Sequence, residues 1–320
     1  MIQAKKYPWI VVGLLWVVAL LNYMDRQMLS TMKPSMMVDI KELQTATNFG
    51  RLMAVFLWIY GCMSPLAGMI ADRISKKWLI VGSLFVWSAV TFSMGYANTF
   101  NQLYLLRAIM GVSEALYIPA GLALIAEFHD SKTRSLAVGI HMTGLYMGQA
   151  LGGFGATIAD NFSWQSAFHS FGIIGIVYSV VLILFLRDKK ADTVQPGIGN
   201  NAGVTSTKLL KGLGLLFTNV SFWIILFYFA IPSLPGWAVK NWLPTLFADN
   251  LKIDMAEAGP ISTITIAASS FLGVIFGGML SDRWVQKNLR GRIYTSAIGL
   301  SLTIPALLFI GFGHSLFAVI

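Results

Sequence analysis

The sequence predicts an all-α membrane protein of two six-helix bundles, the second incomplete, with about nine complete spans and the start of a tenth. Three observations carry this prediction. The 320 residues are 56% apolar and only 12% charged, with a mean hydropathy of +0.68, whereas an ordinary soluble chain carries about 25% charged residues. Apolar runs long enough to span a membrane recur along the chain, with Gly, Pro, Asn and Asp between them. A short segment at Gly68 returns at Gly278, six spans later. This composition excludes a soluble enzyme, a disordered chain and a collagen-like fibre. Strands of a transmembrane barrel would alternate over about ten residues, and no segment does so.

A bilayer core of about 30 Å needs roughly 20 apolar residues per helix. On that template the spans fall near 8–30, 50–71, 78–97, 102–126, 136–159, 164–186, 220–247, 258–281 and 293–312, and a tenth begins at His314. The first is not a signal peptide, since its apolar run is too long and no small-residue cleavage site follows. Arg187 to Asn219 is polar and Gly-rich, then amphipathic around Lys208-Leu-Leu-Lys211. It reads as a cytoplasmic linker (187–219) between an N-terminal half (1–186) and an incomplete C-terminal half (220–320).

Orientation follows from the basic residues. One side collects Lys5, Lys6, Arg73, Lys76, Lys77, Lys132, Arg134, Arg187, Lys189, Lys190, Lys208, Lys211, Arg283, Lys287, Arg290 and Arg292. The other has only Lys33, Lys41, Arg51 and Lys252. The first side, with the N-terminus, is expected in the cytoplasm. The net charge of +9 is thereby explained without nucleic acid. Cys62 is the single cysteine, so there is no internal disulfide and no cysteine metal cluster. No phosphate-cradling Gly-x-x-x-x-Gly-Lys motif and no hydrolase motif appears, which argues against ATP-driven transport and against an intramembrane enzyme. No cofactor is expected.

Gly68-Met-Ile-Ala-Asp72-Arg73 closes span 2, and Gly278-Met-Leu-Ser-Asp282-Arg283 closes span 8. Six is even, so both copies face the same side, as in a parallel repeat of six helices. Gly68 lets a neighbouring helix approach, and Asp72 at a helix end can accept from a helix N-terminus or pair with a basic residue. The repeat predicts twelve spans, and on it the chain stops about 75 residues short.

The loop segment with Lys76 and Lys77 after it resembles the loop 2–3 signature of the major facilitator superfamily. Asn22-Tyr23-Met24-Asp25-Arg26-Gln27 and Arg107-Ala-Ile-Met-Gly111-Val-Ser-Glu114-Ala-Leu-Tyr-Ile-Pro119-Ala resemble the signatures of its anion:cation symporter family. That family includes hexuronate and aldonate carriers and vesicular glutamate and sialic acid carriers. Trp164-Gln165 departs from the Trp-Arg common at the start of span 6, and the missing last spans are those that contribute part of the family's substrate site.

Among the acids, Asp25 and Glu114 fall well inside spans. A charge there costs about 2.5–3.5 kcal/mol on insertion scales, so it needs a partner or a wet cavity. Arg107 and Glu114, seven apart, share one helix face, while Asp25 and Arg26 diverge by about 100° and cannot pair together. Cross-helix pairs are the natural solution: Arg26 with Glu114, Asp25 with Arg107. One reading is a static lock between spans 1 and 4, the other a working site. The resemblance implies the second. Spans 1, 4, 7 and 10 then line a cavity, Asp25 and Glu114 couple protons, and Arg26 and Arg107 hold a carboxylate or organise the acids. Protonating the acids would leave net positive charge that favours an anion, and the two events help one another.

Tyr23 and Tyr60 read either as donors to sugar hydroxyls or as interface anchors. Asn241, four from Trp237, reads as a substrate contact or a helix–helix contact. Pro232, Pro235 and Pro244 are expected to interrupt span 7. His141 reads as a packing residue or a proton relay, and His129 and His169 sit near span ends.

The function this implies is proton-coupled symport of a small organic anion, a sugar acid such as a hexuronate or aldonate, in a bacterial inner membrane. Sodium is the alternative coupling ion, and phosphate or another carboxylate the alternative cargo. A truncated fragment that does not transport is the alternative of another class. The expected partners are the anion and the lipid bilayer, and the chain is expected to act as a monomer.

Overall fold

The computed structural model describes residues 2–71, 73–130, 133–188, 214, 217–288 and 290–312. The described elements are α1 (Ile2–Thr31), α2 (Lys33–Asp39), a 3-10 turn (Lys41–Gln44), α3 (Ala46–Ala71), α4 (Lys76–Met94), α5 (Phe100–Ala115), α6 (Tyr117–Phe128), α7 (Arg134–Gly152), α8 (Gly155–Asn161), α9 (Trp164–Phe185), α10 (Val220–Leu251), α11 (Met255–Lys287) and α12 (Gly291–Phe312). The protein is an all-α membrane protein, as the composition predicts.

Hydroxyl caps start three of the helices. Ser75, Thr99 and Ser163 accept from the backbone N–H of Trp78, Gln102 and Ser166 at the starts of α4, α5 and α9, satisfying donors that have no partner within the helix.

Among the described residues, six segments are long and apolar enough to cross a membrane: Lys6–Thr31, Ala46–Ala71, Lys76–Met94, Phe100–Phe128, Trp164–Phe185 and Val220–Leu251, with Ile293–Phe309 a shorter apolar helix. The spans expected near 136–159 and 258–281 are also helical, within α7–α8 and α11. Span 5 carries a stripe of small residues turned toward α1. A Cβ on Gly144 would meet the Trp16 carbonyl oxygen at 2.6 Å, and one on Gly148 would overlap the Leu20 carbonyl. The backbones touch there, which is how helices associate when lipid removes the hydrophobic drive.

Two spans are broken. The fourth divides at Leu116, where Leu116 N–H bonds the Ser113 carbonyl at 3.3 Å. Pro119 has no N–H to give the Ala115 carbonyl, which opens the helical ladder at that step. The fifth divides at Gly153–Phe154, where both N–H groups bond three residues back. Span 7, by contrast, is continuous: α10 runs helical through Pro232, Pro235 and Pro244. The interruption expected there is corrected, since a spanning helix carries proline wherever its surroundings satisfy the freed carbonyls.

The chain divides into two compact units, Met1–Lys189 with Asn241–Ile320, and Lys190–Lys240. Within the first, Thr31 Oγ1 donates to the Gly152 carbonyl, and Thr263 Oγ1 to that of Ala150. At the end of this unit that carries the N-terminus, Lys76 pairs with Glu127 at 2.7 Å and Lys77 N–H bonds Asp188 at 2.9 Å. The second unit contains the first part of α10, where Asn219 Oδ1 accepts the Ser221 N–H and Trp223 Nε1 donates to the Phe217 carbonyl.

Candidate functional site

The intramembrane charges meet where α1, α3, α4 and α5 face one another. Glu114, fully buried on α5, accepts from Arg26 Nε at 2.6 Å and from Asn22 Nδ2 at 2.9 Å, both on one Oε2. The first of the two expected cross-helix pairs is therefore present. Asn22 lies four residues before Arg26, one helical turn away, so one face of α1 delivers both donors.

The second expected pair is not closed. Among the described residues the ion pairs are Arg26–Glu114 and Lys76–Glu127, and Arg107 is in neither. Asp25 instead accepts from Thr91 Oγ1 on α4 at 3.3 Å. Arg107 donates through Nη1 to the Met110 sulfur at 3.2 Å, a weak acceptor. Both are buried, at 5% and 3% exposure. Asp25 points toward α4 because Arg26, about 100° away on α1, takes the face toward Glu114.

Aromatic rings enclose the guanidinium groups. The Arg26 guanidinium carbon lies 5.0 Å from the Tyr23 ring centroid and 4.8 Å from those of Phe56 and Tyr60. The Arg107 guanidinium carbon lies 4.6 Å from Phe56. Tyr23 and Tyr60 thus belong to the cluster as cation–π partners, worth about 0.5–2 kcal/mol each depending on desolvation. Phe56, Thr91 and Met110 have no individual signature in the sequence. The one available hint for Phe56 is its position four residues before Tyr60, on the same face of α3.

The cluster keeps buried hydrogen-bonding capacity unused. Arg26 Nη2, Arg107 Nε, Glu114 Oε1 and Asn22 Oδ1 are buried without a hydrogen-bond partner. Buried polar groups are normally satisfied. Two guanidinium edges with unused N–H donors can hold an anion, and the carboxylate beside them can take up a proton.

Asn241 is buried on α10 beside Trp242, whose ring lies 4.7 Å from the Lys33 ammonium. His141 is fully buried, 6.0 Å from the Tyr117 ring, and the Tyr117 hydroxyl donates to the Leu15 carbonyl at 2.8 Å. Gln165 donates to Asp39 at 2.8 Å beside the Trp164 indole N–H at 2.7 Å, so the neutral side chain still ties α9 to α2. Of the loop motif, Gly68 lies within α3, and Arg73 and Arg283 are exposed. Asp72 lies outside the described residues, as do the side chains of Gly278 and Asp282. Cys62 is exposed on α3.

An open pocket of about 760 Å³ lies away from the buried charges, between α2 and the α10–α11 turn, lined by Lys33, Gln44, Thr245, Asp249 and Asp254 among others. Burial lowers the Lys33 pKa, and the Asp249 carboxylate partly opposes that.

A family model described as Major Facilitator Superfamily matches residues 15–320. A hexuronate transporter of Bacillus subtilis (strain 168) is 26% identical over 300 residues, covering 91% of this chain and 68% of its own length. A galacturonate transporter of Dickeya chrysanthemi is 26% identical over 339 aligned positions, covering 98% and 92%. The crystal structure of a bacterial homolog to the human lysosomal transporter Spinster, inward-facing and unoccupied, superposes with a TM-score of 0.75. It is 20% identical and covers 98% of this chain and 71% of that one.

Proposed function

The chain belongs to the Major Facilitator Superfamily, and from that premise we propose that it is a proton-coupled symporter of a sugar acid. It is a multi-pass membrane transporter, not an enzyme. Its substrate, on this reading, is a hexuronate or a related aldonate or aldarate, carried across a bacterial inner membrane with the N-terminus in the cytoplasm. Residues 1–186 and 220–320 form its two halves, joined through 187–219.

The observation that carries this reading is Glu114 holding Arg26 at 2.6 Å inside the apolar bundle, with the acid Asp25 beside it in no ion pair. A proton on Glu114 removes the charge that holds Arg26. The Arg26 fork is then available to a carboxylate, which it matches in bidentate geometry. An anion on Arg26 in turn displaces Glu114, which then takes a proton to avoid an uncompensated buried charge. Each ligand favours the other, and by linkage the coupling is reciprocal. Tyr23 and Tyr60, already against Arg26, would contact the sugar. The similarity to hexuronate and galacturonate transporters supports a sugar acid over phosphate.

The test is uptake of radiolabelled D-galacturonate and D-glucuronate into proteoliposomes under an imposed pH gradient, acid outside. Accumulation that collapses with a protonophore and does not follow a sodium gradient is expected. Accumulation that follows sodium alone would replace the coupling ion, and uptake of phosphate without sugar acids would replace the cargo.

A further inference from the structure

We propose that Phe56 is a positioning residue of the anion site: its ring seats the guanidinium groups of both Arg26 and Arg107 and sets how well they hold the substrate carboxylate. This rests on the sugar-acid reading above and extends it to a residue without charge or hydrogen-bonding groups.

Three observations support it. Phe56 is buried, at 3% exposure, with the two guanidinium carbons 4.8 and 4.6 Å from its ring centroid. The cluster carboxylate in an ion pair, Glu114, engages Arg26, so Arg107 bonds a thioether and lies against this ring, with Glu114 and Asp25 acting on it from beyond ion-pair distance. Two like charges in a low-dielectric interior repel, and the negative face of an aromatic ring adds to the offset of a cation that no carboxylate contacts directly. Finally, the backbone is built for the placement. A Cβ on Gly111 would stand 2.8 Å from the Phe56 carbonyl oxygen and 3.2 Å from Ile59 Cβ. Gly111 lies one turn beyond Arg107, so its missing side chain brings α3 against α5 where Arg107 projects.

The ring faces of the guanidinium groups are therefore occupied while their edges keep unused donors at Arg26 Nη2 and Arg107 Nε. An anion approaching those edges meets cations already oriented. A leucine would fill much the same volume without the quadrupole and leave the arginines free to turn.

The decisive experiment replaces Phe56 with mono-, di- and trifluorophenylalanine, which withdraws charge from the ring face with little change of shape. D-galacturonate binding to purified protein and counterflow exchange are then measured. The dissociation constant is expected to rise stepwise along the series, reaching roughly two- to thirty-fold, with the saturated exchange rate within about twofold of wild type. Phe56→Leu should match the end of the series, and Phe56→Trp should restore affinity. A flat series, in protein whose wild type binds and whose Arg26→Lys variant does not, overturns the role of Phe56 and leaves the anion reading standing. Wild-type protein that binds no sugar acid overturns the reading and this inference together.

Discussion

On the proposed reading coupling turns on Glu114, the one acid of the cluster whose charge is matched by an ion pair among the described residues. Glu114→Gln keeps the shape and can still accept from Arg26 and Asn22, but it cannot take up a proton. Proton-driven accumulation should fall to background while counterflow exchange persists, measured in the same proteoliposomes. Wild-type accumulation by this variant would remove Glu114 from the mechanism. The charged half of the site was legible in the sequence, since an acid or base inside an apolar span must be accounted for energetically. The aromatic half was not. A phenylalanine in such a span reads the same whether it faces lipid, a neighbouring helix or a cation. The Asp25–Arg107 pair was misread for a related reason: Thr91 on α4 is a hydrogen-bond partner that no spacing on α1 or α5 announces. Lys33, outside the spans, offers a pH-dependent readout. Burial lowers its pKa and Asp249 raises it. With the folded value below the unfolded one, the unfolded chain binds more protons, so stability rises with pH between the two values. A methyl-13C label on the lysines should show Lys33 losing its proton at lower pH than exposed lysines. Asp249→Asn should lower its titration point further, whereas an upward shift would refute the assignment of Asp249.

At the scale of elements, α1 and α7 form one unit because the α7 backbone presents glycine where α1 presents carbonyl oxygens. Gly148→Val places a branched side chain onto the Leu20 carbonyl. Forcing volume into a packed contact costs about 1–3 kcal/mol, so the variant should melt earlier in detergent by fluorescence-detected size exclusion. Gly82→Ala, where a Cβ would meet nothing within 4 Å, should melt like wild type, and equal melting of the two variants would rule out the contact. Helix existence was legible from apolar run length, but the breaks were misplaced. Three prolines in α10 suggested an interruption that does not occur, while one proline in α6 and a glycine in the α7–α8 turn mark the breaks that do. A proline's effect depends on what surrounds the carbonyl it leaves unpaired, and sequence does not give those surroundings.

For the whole molecule, the return of the Gly68 segment at Gly278 is what suggested an internal repeat, because a recurrent motif at equivalent helix ends is readable where overall identity is not. Elsewhere in the bundle, α8 approaches α11. Thr157 Oγ1 donates to the Ala256 carbonyl at 3.1 Å, and a Cβ on Gly259 would stand 2.6 Å from the Gly153 carbonyl oxygen. A transporter that alternates access must part such contacts in one of its states. In a Cys62→Ser background, the pair Thr157→Cys and Ala256→Cys should cross-link on mild oxidation, stop counterflow, and regain it with reductant. Unchanged transport by fully cross-linked protein would show that this contact persists throughout the cycle.

The lone thiol of Cys62 has a practical consequence. It is exposed on α3, two residues past Tyr60 and thus about 200° around the helix from the aromatic face that meets Arg26. A membrane-permeant nitroxide or fluorophore would attach at one defined position in the native sequence. It would stand on the outer wall of the helix whose inner wall cradles the site. Any roll or tilt of α3 as Arg26 exchanges Glu114 for an anion would then appear as a change in label mobility or emission, recorded on protein that carries no substitution.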